Sequence, residues 1–148
     1  MTVPMVLLAG CDALSKIDPD VEWRHAPYAL TAIDTETQME LSMDTDDPGP
    51  TVLPDRIRLV GPTVFAVGIN DHYVVVKQHP SADGTRFNRA VTNYYVVDRA
   101  TESAKRKWRK PQVIGPLSKA EFDRLARIQP MPAFSKTFTR LDWHRTGD

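Results

Sequence analysis

The sequence predicts an α+β fold: an antiparallel sheet of about five strands with one helix, from the C-terminal half of the chain, packed on it. Strand-like segments follow one another through most of the chain, and a single helical pattern comes after them. This order favours antiparallel pairing of consecutive strands over alternating β–α–β units. The 148 residues, 41% of them hydrophobic, are sufficient to bury a core. With one cysteine, these residues cannot form an internal disulfide or a cysteine-based zinc site.

The first strands are predicted from composition and alternation. Residues 21–24 and 28–33 are rich in strand formers. Residues 37–43 alternate polar and apolar side chains, which predicts a strand with one buried face. Residues 44–54 contain three prolines, together with Asp and Gly, so we expect a surface loop there.

An apolar hairpin is predicted next. Residues 63–69 and 73–77 are β-branched runs, and the short polar linker Asn70-Asp71-His72 separates them. Residues 78–89 contain Pro80 and Asp83-Gly84 and predict a solvent-exposed loop. Residues 92–98 then predict a central strand, because aromatic and β-branched side chains occupy both of its faces.

The one helix is predicted over residues 119–128. Ser118 and Glu121 have the spacing of a capping box, and Leu117 and Phe122 occupy the hydrophobic-staple positions. The side expected to be buried contains Phe122, Leu125 and Ile128. Two prolines, at positions 130 and 132, end the helix, and the alternation of residues 134–138 predicts an edge strand.

The net charge of zero hides an asymmetry along the chain. Through Asp55 there are 11 acidic and 2 basic residues, and after it 8 acidic and 17 basic, so the two parts carry formal charges of −9 and +9. We favour the interpretation that the two parts lie side by side and neutralise each other. The alternative is a basic face that recruits an anion.

The amino-terminal residues carry a motif for membrane anchoring. An apolar run at residues 3–8 leads into Ala9-Gly10-Cys11, and Leu8-Ala9-Gly10-Cys11 resembles the lipobox of bacterial lipoproteins. No Lys or Arg precedes the run, which is also shorter than a usual signal core. The resemblance implies lipidation at Cys11 and a place on the periplasmic side of the cell envelope. The alternative is a short buried strand that contains a small apolar cysteine.

The same resemblance implies three segments. Residues 1–10 would be a truncated signal segment, residues 11–20 a tether, and residues 21–148 a single globular domain. The hairpin, the paired Tyr94-Tyr95 and the helix start Gly115-Pro116-Leu117-Ser118 are similar to a group of small uncharacterised bacterial lipoproteins. The resemblance to this group implies no catalytic residue in the present chain. Some envelope lipoproteins of this size are immunity proteins that neutralise a delivered toxin. An immunity role for this chain rests on that analogy alone.

These observations favour a non-enzymatic, membrane-anchored envelope lipoprotein that binds a protein partner. Charged loops steer the encounter of two proteins even where they add little affinity, so two charged segments are the candidate contacts. They are the acidic residues Asp44, Asp46 and Asp47, and the basic run Lys105, Arg106, Lys107, Trp108, Arg109 and Lys110.

Two other classes of function stay open at this point. One is a periplasmic enzyme, for which His72 and His79 would approach each other across the hairpin beside Asp71, although surface turn histidines are favoured. The other is an intracellular module that binds an anionic polymer through Lys105 to Lys110. We do not expect nucleic acid as the partner, because the chain has no basic surplus overall. No cofactor and no metal are predicted. The acidic run lacks the distal Glu of a calcium loop, so a calcium site is not expected there.

Overall fold

The computed structural model is an α+β fold, as predicted, and describes residues 21–32, 38–44, 56–82, 85–99 and 110–138. In these ranges there are nine β-strands and one α-helix, and the strand pairs are antiparallel. The strands are divided between two sheets of four and five strands. The predicted signal segment and tether lie outside the described residues.

The first sheet is a meander in the order β1-β2-β3-β4. Its strands are β1 (Val21–His25), β2 (Tyr28–Ala32), β3 (Met39–Asp44) and β4 (Arg56–Val60). The alternation predicted for the third strand is confirmed, since its apolar residues are buried and two of its polar residues form ion pairs. The buried apolar residues of β3 are Met39, Leu41 and Met43.

The second sheet has the order β8-β7-β6-β5-β9. Its strands are β5 (Val64–Ile69), β6 (Tyr73–Gln78), β7 (Asn93–Asp98), β8 (Gln112–Leu117) and β9 (Lys136–Thr137). The predicted hairpin is formed by β5 and β6, and the predicted edge strand is β9. The strand predicted to be central, β7, lies between β6 and β8.

The main core lies between the two sheets. Side chains from β2 and β3 pack there against side chains from β5, β6 and β7. Each aliphatic side chain that is fully buried contributes about 1.5–3 kcal/mol relative to exposure. Members that are completely buried are Tyr28, Leu30, Met39, Leu41, Val64, Val67, Val74, Val76 and Val97.

The helix α1 (Lys119–Ile128) covers the opposite face of the second sheet. The ring of Phe122 lies 4.9 Å from that of Tyr94 and 5.7 Å from that of Phe134. The capping box is confirmed: the Ser118 hydroxyl accepts from the Glu121 amide at 3.2 Å, and the Ser118 amide donates to the Glu121 carboxylate at 2.7 Å. The hydrogen bonds from Ser118 hold the pKa of Glu121 below its ordinary value. Within the described ranges, no helix has both the length and the apolar composition needed to cross a membrane.

The far end of the helix corrects one prediction. Phe122 is buried and Leu125 is half-buried, but Ile128 is 76% exposed. Ile128 follows Phe122 by six residues, which is about 1.7 helical turns. Its side chain therefore points away from the side of the helix that carries Phe122. The apolar face of α1 is therefore narrower than the sequence pattern indicates.

Strand β8 is not predicted by the sequence, because Gly115 and Pro116 normally interrupt a strand. The register accounts for their presence. Ile114 pairs with Val96 and Leu117 with Tyr94, so Gly115 and Pro116 together lie opposite the single residue Tyr95. This is a β-bulge in a strand at the edge of its sheet, where a missing proline N–H is tolerated.

Ion pairs join the acidic part of the chain to the basic part. Asp44 pairs with Arg56 in the β3–β4 ladder, and the Arg56 Nε atom lies 3.0 Å from the Asp44 carboxylate. Arg58 reaches Glu40 in the same pair of strands, with 2.6 Å between Nε and Oε2. These contacts support the interpretation that the two oppositely charged parts lie side by side.

Burial of Tyr95 in β7 makes the free energy of unfolding depend on pH, and this dependence can be tested. Desolvation raises the pKa of the Tyr95 hydroxyl above its ordinary value of 10.0. The unfolded chain therefore loses this proton at lower pH than the folded protein does, and the free energy of unfolding must fall as pH rises through about 10 and above. In urea titrations from about pH 9 upward, we expect a steeper fall for the wild type than for Tyr95→Phe, each referred to its own value at neutral pH. Equal slopes would contradict the assignment.

Candidate functional site

The loop between β6 and β7, residues 79–92, contains a stack of planar side chains. The His79 ring lies 4.3 Å from the ring of Phe65, at an interplanar angle of 13°, and 5.8 Å from the ring of Phe87, at 15°. The guanidinium carbon of Arg89 lies 5.0 Å from the centre of the Phe87 ring. We call Phe65, His79, Phe87 and Arg89 the stacked column. It connects a core residue of β5 to an exposed arginine.

His79 is fixed by three hydrogen bonds as well as by the stack. Its Nδ1 atom lies 2.9 Å from the Val91 carbonyl oxygen, which can only accept, so the contact assigns a proton to Nδ1. Its amide donates to the Thr63 carbonyl at 3.2 Å, and its own carbonyl accepts from the Thr63 hydroxyl. The imidazole thus joins the two ends of the 79–92 loop.

The base of the loop stores backbone strain. Thr63 has a φ of 124°, which is unusual for a β-branched residue, and it is fully buried. Such a conformation costs on the order of 1–3 kcal/mol and persists only where its surroundings impose it. Here the hydrogen bonds between Thr63 and His79 impose this conformation. The Gln78 side-chain amide adds to them by donating to the carbonyls of Gly61 and Pro62.

The outer part of the 79–92 loop is closed on itself. The Asn88 amide donates to the Pro80 carbonyl at 2.9 Å, and the Ser81 hydroxyl donates to the Arg86 carbonyl at 2.7 Å. The Asn88 side chain accepts from the Ala90 amide at 3.0 Å. Ser81 and Phe87 also form an isolated antiparallel bridge. These hydrogen bonds hold the described residues on the two sides of the loop together.

A shallow cleft of about 510 Å³, wide open to solvent, lies along the described residues of this loop. Its lining combines one guanidinium, one hydroxyl and one side-chain amide with an aromatic wall. The lining residues are Pro80, Ser81, Ala82, Arg86, Phe87 and Asn88.

Comparison with known protein families places the whole of this arrangement inside one matched region. Residues 28–129 match the model of DUF3997, a family of proteins of unknown function. The chain belongs to the DUF3997 family. The matched region begins at β2 and ends just after α1, so it includes the stacked column and the cleft. No curated protein and no solved structure matches the chain.

Most of the binding residues predicted from sequence fall outside the part of this DUF3997 protein that the structure describes. They are Cys11, Asp46, Asp47 and residues 105–109, and their roles stay predictions. Asp44 is described, and its carboxylate lies between Arg24 and Arg56 with 15% of its side chain exposed. Lys110 is described and exposed beside β8. The described residues therefore do not bring the two predicted charged segments into one site.

The histidine pair considered for an enzyme is not assembled. His72 is exposed in the β5–β6 turn, as expected for a surface histidine, but His79 is only 6% exposed. Strand β6 separates them, and seven residues of extended chain span about 23 Å. The predicted approach of His72 and His79 is therefore wrong, and so is the surface position of His79. Among the described residues, no three His, Cys, Asp or Glu side chains are grouped to hold a metal.

Sequence reasoning missed the stacked column because its members come from β5 and from separate positions of the 79–92 loop. One signal was available. Phe87 stands between Arg86 and Arg89 in a loop otherwise made of small and polar residues. A large aromatic residue in such a loop either packs back on the core or stays exposed for a binding partner. In this DUF3997 protein Phe87 packs on His79.

Proposed function

We propose that this DUF3997 protein is a non-enzymatic protein of the bacterial envelope that is held at a membrane by acyl chains on Cys11 and binds a protein partner. The observation that carries the binding part is the stacked column, which holds Phe87 and Arg89 in place at the surface. The anchoring part is supported by Leu8-Ala9-Gly10-Cys11, which contains the one cysteine of the chain.

The energetic argument concerns the cost of ordering side chains on binding. Each long side chain that an interface immobilises costs about 0.5–1.5 kcal/mol. In the 79–92 loop much of this ordering has already occurred, because Phe87 rests on His79 and Arg89 lies over Phe87. Arginine and aromatic residues are also the types enriched where interfaces gain most of their affinity. Val91, 41% exposed in the same loop, adds apolar surface.

The membrane part rests on the energetics of acyl chains. Each buried methylene contributes about 0.8 kcal/mol, so two or three long chains hold a small domain at a bilayer without a spanning helix. Lipidation at Cys11 would place the DUF3997 protein on the periplasmic side. The more specific form of the proposal is an immunity protein, which rests on analogy and predicts that the partner is a toxin delivered to the periplasm.

The anchor is tested on the product expressed in a bacterial host from its native upstream sequence. We expect the wild type in the membrane fraction, with an intact mass that corresponds to cleavage before Cys11 and acylation of the new terminus. Cys11→Ser should move to the soluble fraction. A wild-type product that retains Met1 and an unmodified thiol would overturn the anchoring part and leave partner binding to its own test.

Partner binding is tested by photocrosslinking in the membrane-bound protein. A photoreactive phenylalanine at position 87 or 89 should form a covalent adduct with one protein, identified by mass spectrometry. The same probe at Arg124, which is exposed on α1, serves as the control. Adducts of the same proteins from all three positions, or from none, would contradict a binding surface in the 79–92 loop.

A further inference from the structure

We infer that the anchored protein holds the stacked column at the end of its two packed sheets that is nearer the bilayer, and that the partner bound there is a protein fixed in the same membrane. This inference rests on the proposed function and adds the class of the partner. It is carried by the topology of the sheets, by the length of chain between Cys11 and β1, and by the side chains exposed at that end.

The start of β1 and the 79–92 loop lie at one end of the packed sheets, which we call the column end. Because the strand pairs of the first sheet are antiparallel, β1 and β3 start at the end where β4 finishes. Three residues lead from β4 to β5, so β5 starts at that end too. In the second sheet β6 therefore finishes there and β7 starts there. The topology thus places Val21, the first residue of β1, at the end that carries the stacked column.

Contacts at both ends show that the two sheets are aligned. At the column end, the Gln78 side-chain amide donates to two carbonyls of the β4–β5 connection. At the opposite end, the guanidinium carbon of Arg99, which directly follows β7, lies 5.7 Å from the centre of the Tyr28 ring at the start of β2. Strand β2 therefore packs against β7, and β1 is the next strand of the first sheet. Val21 and the start of β7 are then separated by the roughly 10 Å between sheets and about one strand spacing.

The chain between the proposed anchor and β1 is short. Ten residues, 11–20, precede Val21, and an extended residue spans at most about 3.6 Å. Acyl chains on Cys11 would keep Val21 within about 36 Å of the bilayer in any conformation of these residues. Strands of six residues are about 20 Å long, so His72, in the turn at the opposite end, can lie farther away by that length. The anchor thus holds the column end nearer the membrane.

The side chains exposed at the column end suit a protein surface just outside the bilayer. Arg89 is exposed, Val91 is 41% exposed and Phe87 is half-buried. Where membrane proteins leave the hydrocarbon region, they present belts of Trp and Tyr. A guanidinium stacks on such rings, and Phe87 and Val91 add apolar contact. This recognition requires no surplus of charge, and the chain has none.

The small size of the exposed surface favours a partner in the same membrane over a diffusing one. The three side chains cover far less than the roughly 800 Å² per partner of a standard interface. Such a contact holds a freely diffusing protein weakly. Two proteins confined to one bilayer meet at a raised effective concentration, which can strengthen a weak contact by about 10²-fold or more.

Orientation is tested on the acylated protein in phospholipid vesicles that carry an energy acceptor on their headgroups. Acylation uses the one cysteine of the chain, so a donor dye can be attached singly to Arg89→Cys or to His72→Cys. Both positions are exposed, so both variants should fold. We expect more efficient energy transfer from position 89, corresponding to a distance shorter by roughly 10–20 Å. Equal transfer, or more efficient transfer from position 72, would overturn the inference.

The class of the partner is tested by photocrosslinking at position 87 in cells that produce the full chain. The captured protein, identified by mass spectrometry, should by itself remain in the membrane after alkaline carbonate extraction. Cys11→Ser, matched in amount, should capture it about tenfold less, because loss of the anchor removes the raised effective concentration. The same probe at position 72 is the control and should not capture it.

The remaining outcomes separate this inference from the proposed function. Equal capture by the wild type and Cys11→Ser, or capture of a soluble protein, would overturn the inference and leave the proposed function in place. Adducts with phospholipid would make the bilayer itself the occupant of the surface, which also overturns the inference. If position 89 is the nearer one in vesicles but no protein is captured at position 87, the proposed function fails instead.

Discussion

Gly68→Ala is expected to lower the free energy of unfolding by about 2–4 kcal/mol, because the new methyl group has no room and its neighbours cannot move freely. A Cβ atom at position 68 would lie 2.1 Å from the carbonyl oxygen of Ala133 and 3.2 Å from a methyl carbon of Val75. The first of these is a backbone atom in the segment that joins α1 to β9, so relief requires that this segment shift as a unit.

That shift would break the contacts that bring the end of the described chain back to the second sheet. The Ser135 amide donates to the Val67 carbonyl at 3.0 Å, and the Phe138 amide donates to the Phe65 carbonyl at 2.7 Å. Between them lies β9, whose two residues pair with Ala66 and Val67. Each lost hydrogen bond costs about 1 kcal/mol, in addition to the overpacking itself.

Urea unfolding at neutral pH measures the effect, and Gly61→Ala is the matched control. A Cβ atom at Gly61 would meet the Arg58 side chain at 3.5 Å, an ordinary contact with a flexible group. Its expected change is within about 0.5 kcal/mol. If the two variants lose the same stability, the close approach of Ala133 is not the cause. Hydrogen exchange adds a local readout, since Gly68→Ala should expose the amides of Ser135 and Phe138.

Local signals in the sequence were sufficient for the hairpin and the helix. Asn70 explains the hairpin turn, because its side-chain oxygen accepts from the amides of His72 and Tyr73 at 2.9 and 2.8 Å. Ser118 and Glu121 explain the helix start. In both, the residues that determine the conformation lie within three positions of one another, so the sequence pattern contains the whole interaction.

The division into two sheets depends on contacts that no local pattern contains. β4 and β5 are separated by three residues, yet β4 pairs with β3 and β5 pairs with β6. Strand β4 begins with alternating arginine and apolar residues and β5 is apolar, but neither pattern determines which strand its neighbour is. The Gly-Pro-Thr segment between them, with Thr63 at a positive φ, marks the place where the chain passes from one sheet to the other.

The candidate site was missed for a related reason. Asp44 was a candidate for partner binding because of its charge. In the structure its carboxylate lies between Arg24 and Arg56, so that charge is already compensated within the first sheet. In the stacked column, Phe65 packs against His79, which lies 14 positions further along the chain, and His79 packs against Phe87 in turn. Such a stack follows from tertiary packing and leaves in the sequence only an unexplained aromatic residue in a loop.

Gly115→Ala is expected to be the most damaging single-methyl substitution, with a loss of about 3–5 kcal/mol from backbone strain and overpacking together. The φ of Gly115 is 145°, which side-chain-bearing L residues rarely adopt. A Cβ atom there would lie 2.5 Å from the Tyr95 ring and 2.8 Å from the Tyr94 carbonyl oxygen. The paired tyrosines and the Gly-Pro-Leu segment, noted separately in the sequence, are therefore one packing unit across the β7–β8 bulge.

The two causes can be separated by a double-mutant cycle with Tyr95→Ala. Truncation of the ring removes the 2.5 Å contact but leaves both the φ of residue 115 and the Tyr94 carbonyl in place. Gly115→Ala should therefore cost less in the Tyr95→Ala background than in the wild type, while still costing more than about 1 kcal/mol. Thermal unfolding followed by near-ultraviolet circular dichroism of the aromatic residues supplies all four values. Full additivity would show that the ring plays no part, and backbone conformation alone would then explain why residue 115 is a glycine.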